Sequence, residues 1–184
     1  MNKLLVIRKY PIQITIFILW IFALLIWKAY LTDTYVVTGQ SMMPTLKDKT
    51  IVKAKEIDDI NELSRGDIII LNADIDNSGT MTRCVKRVIG LPGDTVVIRD
   101  GNVFINGDIY EEDYINVATY MYNTPVGEFI LNNDEVFVLG DNRSNSADSR
   151  YYGPVNYDNI LAVTTGANSD NNIAIKLLQI ICSL

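Results

Sequence analysis

The apolar and polar positions divide this chain into three stretches. Residues Tyr10 to Trp27 carry no charge, and the apolar character continues past Lys28 to Leu31. Read as a helix, Ile12 to Leu31 is roughly 30 Å long, the thickness of a bilayer's hydrocarbon core. Pro11 suits a first helical turn, where its missing N–H costs nothing. Trp20 falls mid-span, whereas Tyr10, Trp27 and Tyr30 sit at interfacial depths and Lys28 can extend its amine outward. The pattern predicts a transmembrane anchor over 12–31 behind a short tail, 1–11. A cleaved signal peptide fits less well, because Lys28-Ala29-Tyr30-Leu31 offers no pair of small residues for cleavage.

Beyond residue 32 the helical run gives way to short β-type segments. Asp33–Thr38, Thr50–Lys55, Ile68–Leu71, Thr82–Ile89, Thr95–Arg99, Val103–Ile105, Glu135–Leu139 and Asn159–Thr165 read as strands, rich in Val, Ile, Thr and Tyr. Between them stand turn signals: Arg65-Gly66-Asp67, Gly90-Leu91-Pro92-Gly93-Asp94, and the hairpin signals Asp100-Gly101-Asn102 and Asn106-Gly107. Glu56–Leu63 reads as irregular or one helical turn, and Glu111–Asn133 as a surface excursion. These features predict a mainly β chain, with one mostly antiparallel domain over 32–168. In the C-terminal stretch 169–184, the apolar run Ile173–Leu184 is too short to span a bilayer as a helix. Packing on the domain and lying against a membrane both remain open for it.

Charge refines this division. The net charge is −6, yet the first 32 residues hold four basic residues and no acid, which leaves −10 on the rest. An acidic domain makes a poor nucleic-acid partner. Three basic residues precede the apolar run and only Lys28 follows it closely. That bias predicts a single-pass cell-membrane protein with a cytoplasmic N-terminus and an extracytoplasmic domain.

The chain has no His and only two Cys, Cys84 and Cys182. A Ser-His-Asp triad, a histidine-ligated metal and a structural zinc site are thereby excluded, and no cofactor is implied. Cys84 reads as a buried small thiol in a strand; a bridge to Cys182 stays open. Ser41, on a turn after Gly39, is a candidate nucleophile, and without His its base must be another group. Ser-Lys pairs are one solution. A free lysine, with a pKa of about 10.4, is protonated at neutral pH, and burial lowers that value. Lys86 lies in the apolar run Cys84-Val85-Lys86-Arg87-Val88-Ile89, whereas Lys47, Lys49, Lys53 and Lys55 read as a solvated basic patch. Alternation puts Lys86 on the face of Cys84 and Val88, and Arg87 on the other, free for an ion pair. In the polar block Gly140–Arg150, the residues Asp141, Arg143, Asp148 and Arg150 can form a lattice holding Ser146 or Ser149 to orient Lys86. The interleaved arginines argue against calcium there.

Four segments carry a family resemblance: Ser41-Met42-Met43-Pro44-Thr45-Leu46, Arg65-Gly66-Asp67-Ile68, Lys86 through Asp94, and Gly140 through Arg150. In this order they resemble the bacterial type I signal (leader) peptidases, in the minimal single-anchor form common in Gram-positive bacteria. The resemblance implies the signal-peptidase β fold, with Ser41 as nucleophile, Lys86 as general base and Ser146 hydrogen-bonded to the lysine amine. Asp148, Arg150 and Arg87 would form a supporting ion-pair network, with Asp141 beside them. It implies cleavage after small residues at −1 and −3 of signal peptides of exported preproteins, near the export machinery and the lipid bilayer. Some members place a Ser two residues before the nucleophile to assist the oxyanion hole. Here that position is Gly39, which leaves the Ser41 backbone N–H as the main donor. Met42, Met43 and Pro44, with Val36 and Val37, are expected near substrate or membrane, with core packing the plainer role for the methionines. Two other functions are weighed: a self-cleaving, DNA-damage-responsive repressor, which the acidic balance disfavours, and a non-catalytic binding or assembly factor for surface proteins, disfavoured by the presence of both Ser41 and Lys86.

Overall fold

A computed structural model describes residues 11–31, 34–76, 78–115 and 127–168. The chain divides into two units, Met1–Thr34 and Tyr35–Leu184. The first contains helix α1 (Pro11–Leu31). The expected transmembrane anchor is corrected here: among the described residues, no helix is long and apolar enough to cross a membrane. The single-pass cell-membrane topology rested on that anchor and falls with it. The tail 1–10, the segment 116–126 and the C-terminal tail with Cys182 lie outside the described residues.

The second unit is built on β1 (Thr34–Val36), β2 (Ile51–Lys55), β3 (Ile68–Ala73), β4 (Thr82–Gly90), β5 (Thr95–Arg99) and β6 (Asn102–Ile105). The later strands are β7 (Asp108–Ile109), β8 (Gly127–Ile130), β9 (Glu135–Leu139), β10 (Val155–Asn156) and β11 (Ile160–Asn168), with a short helix α2 (Ser149–Tyr152) before β10. One sheet has the order β1-β2-β11-β3-β4-β9-β10, the other β7-β6-β5-β8. The ladders β2–β11, β3–β11, β3–β4, β4–β9, β9–β10, β5–β6, β5–β8 and β6–β7 are all antiparallel. The β expectation holds because the alternation was real. In β9, Val136 and Val138 join one apolar cluster with Ile69, Leu71 and Val88, while Phe137 and Leu139 join another. That second cluster includes Val96, Ile98, Val103 and Ile105 and glues the small sheet to the large one. Each such side chain contributes roughly 1.5–3 kcal/mol of burial.

The turns follow their residues. Asp100-Gly101 and Asn106-Gly107 all have positive φ, of 50°, 77°, 53° and 93°. Positive φ at both central residues is the two-residue hairpin geometry that matches strand twist. Glu56–Leu63 resolves into one 3-10 turn, Ile60–Glu62, capped by Asp59 accepting from the Asn61 N–H. Within Glu111–Asn133 the structure adds β8, an edge strand on β5.

Candidate active site

Ser41 sits in a loop closed at its base by two backbone hydrogen bonds, Val37 N–H to Thr50 O at 2.9 Å and Lys49 N–H to Val37 O at 2.8 Å. Met42 and Leu46, four residues apart, are driven into the core beside Val52, Ile70 and Ala162. Burying these two flanking side chains leaves Ser41 half-buried at the surface. Met42 is therefore core and unavailable to substrate or lipid, as is Val37; Met43, Pro44 and Val36 are exposed. Asp48 Oδ1 accepts from the Gly39 N–H at 2.9 Å. Gly39 has φ +94°, a backbone conformation in which a Cβ is strained.

Lys86 reaches this loop from β4. Its amine donates to Ser41 Oγ at 3.1 Å and to the Val85 carbonyl at 3.1 Å. The residue is only 3% exposed. Burial drives its pKa below the ordinary lysine value; Cys84 and Asp148 oppose the shift and Arg150 adds to it. Both contacts are to neutral oxygens, so neither locks the amine into its charged form. Cys84 is a half-buried free thiol whose pKa is pushed up by burial.

The neighbouring Arg87 is handled differently. Its guanidinium forks onto Asp141, Nε to Oδ1 at 2.8 Å and Nη2 to Oδ2 at 2.6 Å, and donates through Nη1 to Gly66 O at 2.8 Å. Burial alone would lower its pKa, but the bond to Asp141 and that charge raise it, so it stays cationic. Nη2 also lies 3.5 Å from Thr45 Oγ1, in the Ser41 loop. Arg150 forks onto Asp148 at 2.6 and 2.8 Å, and Asp148 Oδ2 accepts from Gly140 N–H at 3.0 Å. The expected network is thus two separate forks, Arg87–Asp141 and Arg150–Asp148. Arg143 joins neither; it pairs with Glu112.

Gly140 is where these parts meet. A Cβ there would lie 2.2 Å from Ser146 Oγ and 2.6 Å from the Ser41 carbonyl oxygen, so only glycine fits. The same carbonyl accepts from Asn142 N–H at 2.9 Å, and Asn142 Nδ2 donates to Gln40 O at 3.1 Å. Ser146 is buried and near this junction, but its Oγ has no hydrogen-bond partner; the expected bond to Lys86 is not formed. Ser149 Oγ accepts from the Val138 N–H at 3.0 Å, which makes it part of the sheet.

The turns at 65–67 and 90–94 are struts. Gly66 N–H and Val88 O bond at 2.8 Å, and Val88 N–H and Asp67 O at 2.8 Å, extending the β3–β4 ladder into the turn. Arg65 donates to Asp94 Oδ2 at 2.9 Å, and that oxygen also accepts from Leu91 N–H at 2.7 Å. Burial pushes the Asp94 pKa up, but these donors outweigh it and hold the carboxyl below its ordinary value. Sequence reasoning missed Gly140, Asn142 and Glu112. The first two stood inside a block already singled out, whereas nothing near Glu112 marks it. Among the described residues no cluster of His, Cys, Asp and Glu could hold a metal.

Residues 10–166 match the family described as signal peptidase, peptidase S26. A signal peptidase I P of Bacillus subtilis subsp. natto is 41% identical over 138 residues, covering 71% of this chain and 72% of that protein. The signal peptidase I T of Bacillus subtilis strain 168 is 39% identical over 136 residues, covering 70% and 68%. A crystal structure of a signal peptidase I from Enterococcus faecalis V583 is 36% identical, covers 56% of this chain and 97% of that one, and has a TM-score of 0.47.

Proposed function

The chain belongs to the signal peptidase S26 family and is a serine endopeptidase that cleaves signal peptides, and we propose that Ser41 is its nucleophile and Lys86 its general base. The observation that carries this is the 3.1 Å contact between Lys86 Nζ and Ser41 Oγ, made by a buried lysine whose other hydrogen bond is to a backbone carbonyl. Desolvation holds the amine neutral at lower pH than in water. The neutral amine then accepts the Ser41 proton as Oγ attacks the scissile carbonyl. The ammonium so formed protonates the departing amine of the mature protein. Lys86 next draws a proton from water, which attacks the acyl-serine ester, and returns that proton to Ser41 Oγ as the signal peptide is released. The Ser41 N–H is the main donor to the oxyanion. Arg87–Asp141 and Arg150–Asp148 keep the surrounding turns in place. The cleaved bond follows small residues at −1 and −3 of exported preproteins. Exposed Val36 and Met43 flank the nucleophile and suit a site working close to lipid and export machinery, where such substrates emerge.

Incubation of the purified chain with a preprotein carrying an Ala-x-Ala cleavage region tests this. Ser41→Ala and Lys86→Ala are each expected to abolish processing while the β domain keeps its circular dichroism. Turnover retained by folded Lys86→Ala would remove that residue as base.

A further inference from the structure

The segment just before residue 116 carries contacts that the proposed chemistry does not use. Tyr110, Glu112 and Tyr114 are partly buried, while Glu111 and Asp113 between them are exposed. Burial alternates along this strap, which ends in a turn at 113–114, and three of its side chains face the protein. Each meets an arginine from a different part of the chain. Tyr110 lies 5.9 Å from the Arg65 guanidinium, and Tyr114 lies under that of Arg87 at 3.9 Å from ring centroid to Cζ. Glu112 takes both Nη1 and Nη2 of Arg143, with side-chain exposures of 5% and 2% for the pair. Tyr114 Oη donates to Glu112 Oε1 at 2.6 Å, which links two of the three contacts. The Tyr110 N–H, bonded to Val103 O at 2.9 Å, moors the strap to β6.

Two of these arginines converge on one short turn. Arg143 Nε donates to Gly140 O at 3.1 Å, and Arg87 forks onto Asp141. The turn 140–142 in turn holds the Ser41 carbonyl through Asn142 N–H and abuts it at Gly140. We propose that Glu112 and Tyr114 are positioning residues for the nucleophile, acting through Arg143 and Arg87 on the turn that fixes the Ser41 backbone. This rests on Ser41 being the nucleophile. Glu112 neutralises a buried guanidinium that would otherwise seek another partner, Asp148 being the nearby anion that also acts on it. Tyr114 supplies the ring face to Arg87 on top of the carboxylate fork. Both act at a distance on a geometry to which acyl transfer is sensitive, since a misplacement of about 1 Å can lower rate by about a hundredfold.

The test compares Glu112→Ala, Glu112→Gln, Tyr114→Leu and Tyr114→Phe in the full chain, with Ser41→Ala alongside. Preprotein cleavage is measured at a temperature where each variant's melting curve shows it folded. Glu112→Ala and Tyr114→Leu are expected to lose about ten- to a hundredfold in kcat with KM nearly unchanged. Tyr114→Phe, which keeps the ring, is expected to restore most of kcat, and Glu112→Gln part of it. In the Tyr114 variants the acid limb of the pH profile should keep its midpoint, because the charges that act on Lys86, Asp148 and Arg150, are left in place. Unchanged kcat in folded Glu112→Ala and Tyr114→Leu, with Ser41→Ala inactive, would overturn the positioning role alone. A rise in KM at constant kcat would also overturn it, in favour of substrate contact. Activity retained by Ser41→Ala would instead overturn the nucleophile assignment. Should Glu112→Ala fail to fold, the Tyr114 pair decides by the same criteria.

Discussion

Lys86 and Arg87 are adjacent on β4, point to opposite faces, and are 3% and 9% exposed. Burial is nearly the same for both, yet their surroundings assign them opposite tasks. Arg87 receives a two-oxygen carboxylate fork and an aromatic face, and its charge is locked in. Lys86 receives a hydroxyl and a carbonyl, and its charge becomes dispensable. A buried cation is a strut or a base according to whether its partners carry the opposite charge. Among the described residues, the two other buried arginines, Arg143 and Arg150, follow the Arg87 pattern, each forked onto a carboxylate.

The sharpest way to break this comparison is Lys86→Met. Cleavage is expected to fall by at least about a thousandfold, with no loss of fold. The linkage has a definite sign. The folded pKa of Lys86 is lowered, so the unfolded chain binds more protons there and wild-type stability declines as pH falls from the ordinary lysine value toward the folded one. The Met variant lacks that decline, so its melting temperature should exceed wild type at neutral pH and converge with it in strong alkali. A lower melting temperature at neutral pH would show that the lysine is held as a charged strut.

Arg87→Met and Asp141→Ala are expected to do the reverse. Each strands one buried charge and should cost about 3–5 kcal/mol in denaturant unfolding. Arg87→Lys should recover little, since an ammonium cannot reproduce the fork. Asp148→Asn addresses the link between the two systems. The Asp148 charge raises the Lys86 pKa, so its removal should move the acid limb of kcat/KM further down, from a midpoint already below about 10.4. A limb that moves upward would mean that Asp148 acts on Lys86 mainly through Arg150. The smallest effect is expected for Gly39→Ala, where a Cβ finds open space but φ is +94°. Strain of about 1–2 kcal/mol should appear as a modest drop in melting temperature. A loss of activity exceeding that drop would show that the Gly39–Asp48 hydrogen bond also positions Ser41.

Legibility differed between these regions. The strands were readable because alternation and turn residues act over a few positions, as Asp100-Gly101 and Asn106-Gly107 do. Lys86 stood out as a lysine in an apolar strand, a local mismatch between residue type and surroundings. Arg87 followed from alternation, and Asp141 was named among its supporting residues. Arg143 does bond within its polar block, to Gly140 O, but its carboxylate partner Glu112 lies 31 residues away in sequence, in a stretch without a periodic signal. Met42 is expected near substrate or membrane and is instead core, because a single methionine beside a turn has no period to show which way it faces. The apolar run at 12–31 does form a helix, yet among the described residues no helix is long and apolar enough to cross a membrane.

What the sequence determined by itself is most of the longer β segments, the absence of a histidine base, and a lysine placed to be desolvated. These depend on local periodicity and composition. The tertiary structure alone decided which carboxylate meets which guanidinium, that Gly140 is the close-packed junction under Ser41, and that Lys86 meets a hydroxyl where its neighbour meets an acid. Such pairings join segments tens of residues apart, and their energies depend on desolvation and on angstrom-scale distance, neither of which exists until the sheets have closed.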